Sequence, residues 1–358
     1  MFNLFNRRSR TKELAQQLTL TERRALALPG TTPTSISYPA YAQMERDSMI
    51  QTALTIKKLA VMAPSFTIKP SDPSDAAKAR QEFILVNFAH MTGSPQSILV
   101  NAMDAFSKGW SIQELVFEFR QGQIWLAAVR PKDPGNFGLE FDAFGSLKGL
   151  NLSIPGEAEK SLPKEKFILY RNRYAYNRPK GLSDLDAAYP HWQAKQSLLK
   201  AWKVHLERYA SPTVMAKYRR GTAMAEQQGV LSALERMAES SAVVFPEEFD
   251  VTTLGGNREQ IGGYLDSLEF HNREMARAIL GQTLTTDEGR RVGSLALGKV
   301  HLQVLLLQVE AIRRELADVV MNEQVIRPLI EMNFGPGHYP VFEFGSSPIE
   351  AFVSGKLT

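Results

Sequence analysis

The chain has 358 residues, 44% hydrophobic and 22% charged, which is ordinary for a globular protein long enough to bury a sizeable core. It contains no cysteine, which excludes disulfides, thiolate metal sites and cysteine nucleophiles. The net charge is +4, from 42 basic and 38 acidic residues, a small excess for a dedicated tight nucleic-acid binder.

Residues 1–40 read as a loosely ordered basic arm. Arg7, Arg8, Arg10, Lys12, Arg23 and Arg24 face only Glu13 and Glu22 there, and Pro29, Gly30, Pro33 and Pro39 punctuate the stretch. The arm lacks the unbroken apolar run of a signal peptide. The most apolar stretch, VLLLQV at 304–309, is far short of the roughly 20 residues that a membrane span needs, so a soluble intracellular product with no membrane partner is expected.

From Met44 the spacing of Met49, Ile50, Ala53, Leu54, Ile56 and Leu59 predicts a helix that Pro64 stops, and SFTIKP predicts a short strand. Two helices follow over 74–108, the second opened by Ser94 with Pro95 and closed by Gly109. WSIQELVFEF and QIWLAAVRP predict a hairpin turning at Gly122. Residues 131–180 read as irregular, with one strand at FILYRNRYAY. From Ser183 the texture becomes helical: Leu185, Ala188, Trp192, Leu199, Trp202, Leu206 and Tyr209 form one apolar stripe, Ser183 and Asp186 resemble a capping box, and Pro190 is expected to kink or restart the helix.

Residues 211–257 predict a compact insert, with strands at SPTVMAKYRR and within AVVFPEEFDVTTLGG flanking a helix. A helix with Ile261, Leu265, Leu268, Met275 and Ile279 on one side follows. After the polar stretch QTLTTDEGRR, a very long helix is predicted from about Gly293 to Asn333, with Pro328 bending it near its end. At about 1.5 Å per residue it would reach roughly 60 Å. The tail has room for one strand.

The chemical motifs are few. GSLALGKV nearly matches a phosphate-binding loop, since Gly293, Gly298 and Lys299 fit, but Val300 stands where the magnesium-binding hydroxyl belongs and a helix rather than a strand precedes it. The six histidines are scattered without HExxH spacing, and Glu247 and Glu248 read as a solvated turn, so no metal, cofactor or catalytic residue is expected. Two basic features remain. Lys217, Arg219 and Arg220 cluster in the insert with Tyr218 between them. Arg290 and Arg291 sit in a loop where Thr285 and Thr286 favour extended backbone and Asp287 and Glu288 nearly cancel the charge.

AILGQTLTTDEG followed by LGKVH resembles the phage portal proteins of the Mu-like family. KGWSIQELVFEF, WKVHLERYASPTVMAKY and VIRPLIEMNFG resemble the family's segments in the same order, over about residues 40–335. Arg290 and Arg291 depart from it, standing where small residues are common. The resemblance implies an α+β portal fold: a flexible arm (1–40), an α/β wing (41–182), a first stem helix (183–210), a small α/β clip (211–257), a second stem helix (258–280), a tunnel loop (281–292), a long kinked helix returning to the wing (293–334) and a short tail (335–358) with a minimal or absent crown. It implies a non-enzymatic homo-oligomeric ring, usually a dodecamer, at one capsid vertex of the virion, assembled in the host cytoplasm. Double-stranded DNA would pass through the ring, past Thr285, Thr286, Arg290 and Arg291 of the tunnel loop. Lys217, Arg219 and Arg220 of the clip would dock the large terminase and then a head–tail adaptor, and the ring would sit against the major capsid protein. Two other readings stay open: a packaging NTPase using residues 293–300, and a head–tail connector without portal function.

Overall fold

The computed structural model describes residues 15–30, 32, 36–210, 213–217, 221–237, 250–254, 259–282 and 295–347. The chain divides into two compact units, one of residues 1–189 with 273–358 and one of residues 190–272.

The first unit opens with α1 (Leu20–Ala27), a helix that the basic-arm reading overlooks. Thr19 and Glu22 form a reciprocal capping box at its start, and Gly138, in the strand beneath, leaves room for the Ala27 carbonyl. A helix of 8 residues is unstable alone and needs such packing. The helix expected from Met44 is α3 (Ser48–Met62), which starts four residues later because Asp47 turns its carboxylate onto the Met49 N–H, and a further helix not expected from the sequence, α2 (Tyr38–Met44), precedes it. Helices α4 (Asp75–His90), α5 (Pro95–Ala102) and the single turn α6 (Ala105–Lys108) follow, with Ser74 and Ser94 as side-chain caps and Gly109 closing the last at φ +84°.

The expected hairpin is present as β2 (Trp110–Arg120) and β3 (Gln123–Lys132), joined at Gln121 and Gly122, both with positive φ. Residues 131–180 are more regular than expected. They hold β4 (Phe137–Phe141), β5 (Leu147–Leu152) and β6 (Lys160–Leu162), an antiparallel sheet in that order. The strand read at FILYRNRYAY is only β7 (Phe167–Arg171), which pairs with β2. Phe137, Leu139 and Phe141 alternate onto one face, with Leu150 beside them. They share one buried cluster with Trp110, Ile112, Phe167 and Leu169 of the other sheet, so the two sheets are held by a common core.

Helix α7 (Leu185–Ala210) runs without interruption through Pro190, so the expected restart is absent. Helix α9 (Glu259–Leu280) and the helical run 295–334 match expectation in extent. The run has an internal surprise: α10 (Leu295–Glu315) passes into a π-helical stretch, Leu316–Ile326, before α11 (Arg327–Phe334). Pro328 sits in the first turn of α11, where its missing N–H is tolerated. The tail strand β10 (Val341–Phe344) pairs with β1 (Phe66–Lys69).

Three side-chain amides fasten this run to three strands. Gln324 accepts from the Leu169 N–H at 2.8 Å and donates to the Leu169 carbonyl at 2.9 Å. Asn333 does the same at Ile124, both bonds 2.8 Å. Asn322 does it at Phe342, at 2.8 and 3.2 Å. Strands β7 and β3 are the two edges of their sheet, so each amide stands in for one residue of a missing neighbouring strand. We expect Gln324→Ala to cost about 1–3 kcal/mol, the desolvation of an orphaned backbone pair, and to speed hydrogen exchange at the Leu169 amide. Unchanged exchange there would refute the clamp.

In the second unit, β8 (Thr213–Lys217) pairs antiparallel with β9 (Asp250–Leu254), and α8 (Met224–Met237) lies between them in sequence. The strand expected just before β9 lies outside the described residues.

Candidate functional site

The described part of the site is the footing from which α7 leaves the first unit and α9 returns to it. Asp184, just before α7, is 1% exposed. The Lys57 ammonium of α3 lies 2.6 Å from its carboxylate, and Lys57 is itself buried, over the Phe106 ring. Asn172 donates its amide to the other carboxylate oxygen at 3.0 Å, and Arg173 approaches the same oxygen at 3.3 Å. Such a buried pair tolerates its own desolvation only when the remaining lone pairs are filled, as they are here. The Ser183 hydroxyl accepts the Leu185 N–H and donates to the Ser107 carbonyl. Asp186 completes the start of α7 by accepting from Ser183 and from Tyr41, and burial raises its pKa from the ordinary aspartate value. The cap expected from Ser183 and Asp186 is thus present in kind.

At the other end of the footing, Met275, Ala276, Ile279 and Leu280 of α9 are fully buried. Gly281 ends the helix at φ +71°, its N–H on the Arg277 carbonyl, with the Gln308 amide against the space a side chain would fill. Residues 283–294 depart from Gln282, which is itself buried. Arg313 of α10 is 2% exposed and donates to the Val61 and Ala60 carbonyls, capping the C-terminal end of α3 with a cation.

Of the residues singled out in sequence, Thr285, Thr286, Arg290 and Arg291 lie outside the described residues, as do Arg219, Arg220, Glu247 and Glu248. Lys217 is the last residue of β8, exposed, opposite Asp250 in the strand register. Gly298, Lys299 and Val300 lie inside α10, so their backbone N–H groups belong to a helix and cannot form a phosphate cradle. Among the described residues no group of three His, Asp or Glu side chains could hold a metal ion, and no helix is long and apolar enough to cross a membrane.

The sequence reading missed Lys57, Asp184, Arg313 and the three amides. Their one sequence signal was the dense SDLD run, read only as a cap. It also missed a histidine pair in the second unit: His191 Nδ1 of α7 lies 3.1 Å from His271 Nδ1 of α9. Burial and the neighbouring His191 lower the His271 pKa, so the folded state binds fewer protons than the unfolded chain just below the ordinary histidine value. Stability from this pair is therefore present above about pH 6.5 and is lost as pH falls below it. We expect His191→Gln to flatten the Tm profile between about pH 7 and pH 5; a profile with unchanged slope would rule the pair out as its cause.

The comparisons with known proteins first define a class. The fold is shared with a chain of the neck of a native gene transfer agent particle computed with twelve-fold symmetry, at TM-score 0.64 and 11% identity over 94% of this chain and 93% of that one. It is shared too with an HK97 family phage portal protein from Corynebacterium diphtheriae, at TM-score 0.50 and 11% identity over 92% and 100%. The sequence then places the chain: the family model described as the portal protein of Mu bacteriophage matches residues 38–351, and the chain belongs to that family. The portal protein of Escherichia phage Mu is 24% identical over 303 residues, 82% of this chain and 56% of the phage protein. The Mu-like prophage FluMu protein gp29 of Haemophilus influenzae is 25% identical over 326 residues, 87% of this chain and 61% of its own length. The chain therefore spans somewhat over half the length of these curated relatives.

Proposed function

We propose that this chain is a portal subunit: copies of it form a ring, twelve in the usual case, at one vertex of a phage capsid, and double-stranded DNA enters and leaves through the centre. The observation that carries this is the family match over residues 38–351, on a chain whose two long helices bracket a small insert. In this reading residues 41–182 are the wing, α7 and α9 the stem, 211–257 the clip, and 281–292 the tunnel loop. The subunit is structural, and the ATP hydrolysis that drives packaging belongs to the large terminase, which docks at the clip through Lys217, Arg219 and Arg220 before a head–tail adaptor takes its place. The ring sits against the major capsid protein in the virion and is assembled in the host cytoplasm.

Thr285, Thr286, Arg290 and Arg291 face the DNA. A conduit needs weak contacts, because each neutralised phosphate adds about 0.9 to the salt slope of binding and a ring multiplies each contact by its subunit number. Two arginines diluted by Asp287 and Glu288 meet that need.

Electron microscopy of the purified protein tests the assembly: rings with an open channel wide enough for a duplex are expected, and a closed particle would overturn the proposal. Arg290→Ala with Arg291→Ala is expected to leave rings intact and to flatten the salt dependence of DNA binding. An unchanged slope would remove these arginines from the channel.

A further inference from the structure

A groove of about 600 Å³ opens on the first unit between β7 and the π-helical stretch. Such a volume is within the usual range of about 300–1,000 Å³ for ligand pockets. Its floor is apolar, made by Leu147, Phe167, Leu169, Val319 and Pro328. Its walls carry the carboxylates Glu165, Glu315, Glu323 and Glu331 against the cations Lys164 and Arg171. The acidic excess is partly engaged: Glu323 pairs with Arg327, and Glu331 accepts from Tyr339. Both acids are exposed, and exposed pairs of this kind exchange readily.

The path of the chain says what fits. The N–H groups of Gln17 and Leu18 both donate to the Ala143 carbonyl, at 2.9 and 3.2 Å, in the turn that leads directly to Leu147. Leu18 is buried in the same cluster as Phe167 and Leu169, with Leu147 packed against it. Near its start the described chain thus packs in one cluster with three residues that line the groove, while Gln17 and Leu18 themselves line a second pocket with Tyr176 and Pro179. Residues 1–14, which precede the described chain, read MFNLFNRRSRTKEL. Extended, they would span on the order of 45 Å. Their chemistry complements the groove in polarity and sign: Phe2, Leu4 and Phe5 are apolar, Arg7, Arg8 and Arg10 are cationic, and Glu13 is the only acid.

We propose that residues 1–14 fold back into this groove of their own subunit, with Phe2, Leu4 and Phe5 on the apolar floor and the arginines against Glu323 and Glu331. The segment then clasps β7 to the helical run at the place where Gln324 already ties them, and covers apolar surface of the groove floor. This inference does not depend on the portal reading.

The chain has no cysteine, so the test is clean. Phe5→Cys with Val319→Cys in the full chain, treated with a short bis-maleimide, is expected to give a cross-linked monomer of altered mobility. A ladder of cross-linked dimers and higher forms would assign the groove to a neighbouring copy and overturn the proposal, and so would the absence of any cross-link. Val319 is 41% exposed and tolerates the change, so a second readout uses it alone. Maleimide labelling of Val319→Cys should rise several-fold when residues 1–14 are deleted, and again when Glu323→Gln and Glu331→Gln are introduced into the intact chain. Equal labelling in all three proteins would overturn the clasp.

Discussion

Replacing Asp184 with alanine is expected to destabilise the first unit by about 3–5 kcal/mol, the cost of removing one partner of a buried ion pair. The Lys57 ammonium, 2.6 Å away and itself buried, would be left charged without its counterion, and the Asn172 amide would lose its acceptor. The damage falls where α7 begins, because Asp184 lies between Ser183, whose hydroxyl caps the helix, and Leu185, its first residue, and its own N–H donates to the Phe106 carbonyl. The midpoint of urea unfolding measures it. A double change, Lys57→Met with Asp184→Leu, separates charge from packing: apolar groups of similar size should recover much of the loss. A single variant that costs under about 1 kcal/mol would mean that water reaches the pair and that the footing is held by packing alone.

Gly181→Ala is expected to be comparably severe, about 2–5 kcal/mol, through the backbone alone. Gly181 adopts φ +84°, and an added Cβ would collide with the Gly109 carbonyl and lie 2.7 Å from the Asn172 carbonyl. Neither atom can yield cheaply: Gly109 receives the Asn172 N–H at 2.9 Å, and Asn172 receives the Leu182 N–H at 2.8 Å. The control is Gly122→Ala. Gly122 has φ +80° but meets nothing within 4 Å, so it should lose only the conformational cost of about 1–2 kcal/mol. Equal losses at both positions would show that the close approach at Gly181 is relieved by a backbone shift, and the footing would then be softer than its geometry implies.

Much of this molecule is legible in its residues because the relevant forces are local. Ser74, Ser94 and Gly109 mark helix ends through their own backbone chemistry, and the structure uses all three. The hairpin at Gly122 follows from alternation and one residue that accepts positive φ. The family resemblance was readable from short motifs along the chain and agrees with the family match. Failures gather where a partner distant in sequence decides. The strand at Phe137–Phe141 is short and contains a glycine, and only its packing against Trp110 and Phe167 makes it regular. Helices α1 and α2, of 8 and 7 residues, are too short to stand alone, and neither was expected from the sequence. Pro190 does not restart the helix, which continues through the proline.

The same division holds for the site. By itself the sequence determined the hairpin, the long helices and several of their caps, the absence of thiol chemistry and the family, all of which depend on residue type and spacing within about a dozen positions. It carried no sign that Lys57 would meet Asp184, that Arg313 would cap α3, or that Asn322, Gln324 and Asn333 would each replace a strand neighbour. Those contacts join residues up to 253 positions apart. A buried charge or amide is stable only where another element supplies its partner, and that partner is chosen by the packing of the core, so only the tertiary structure could decide it.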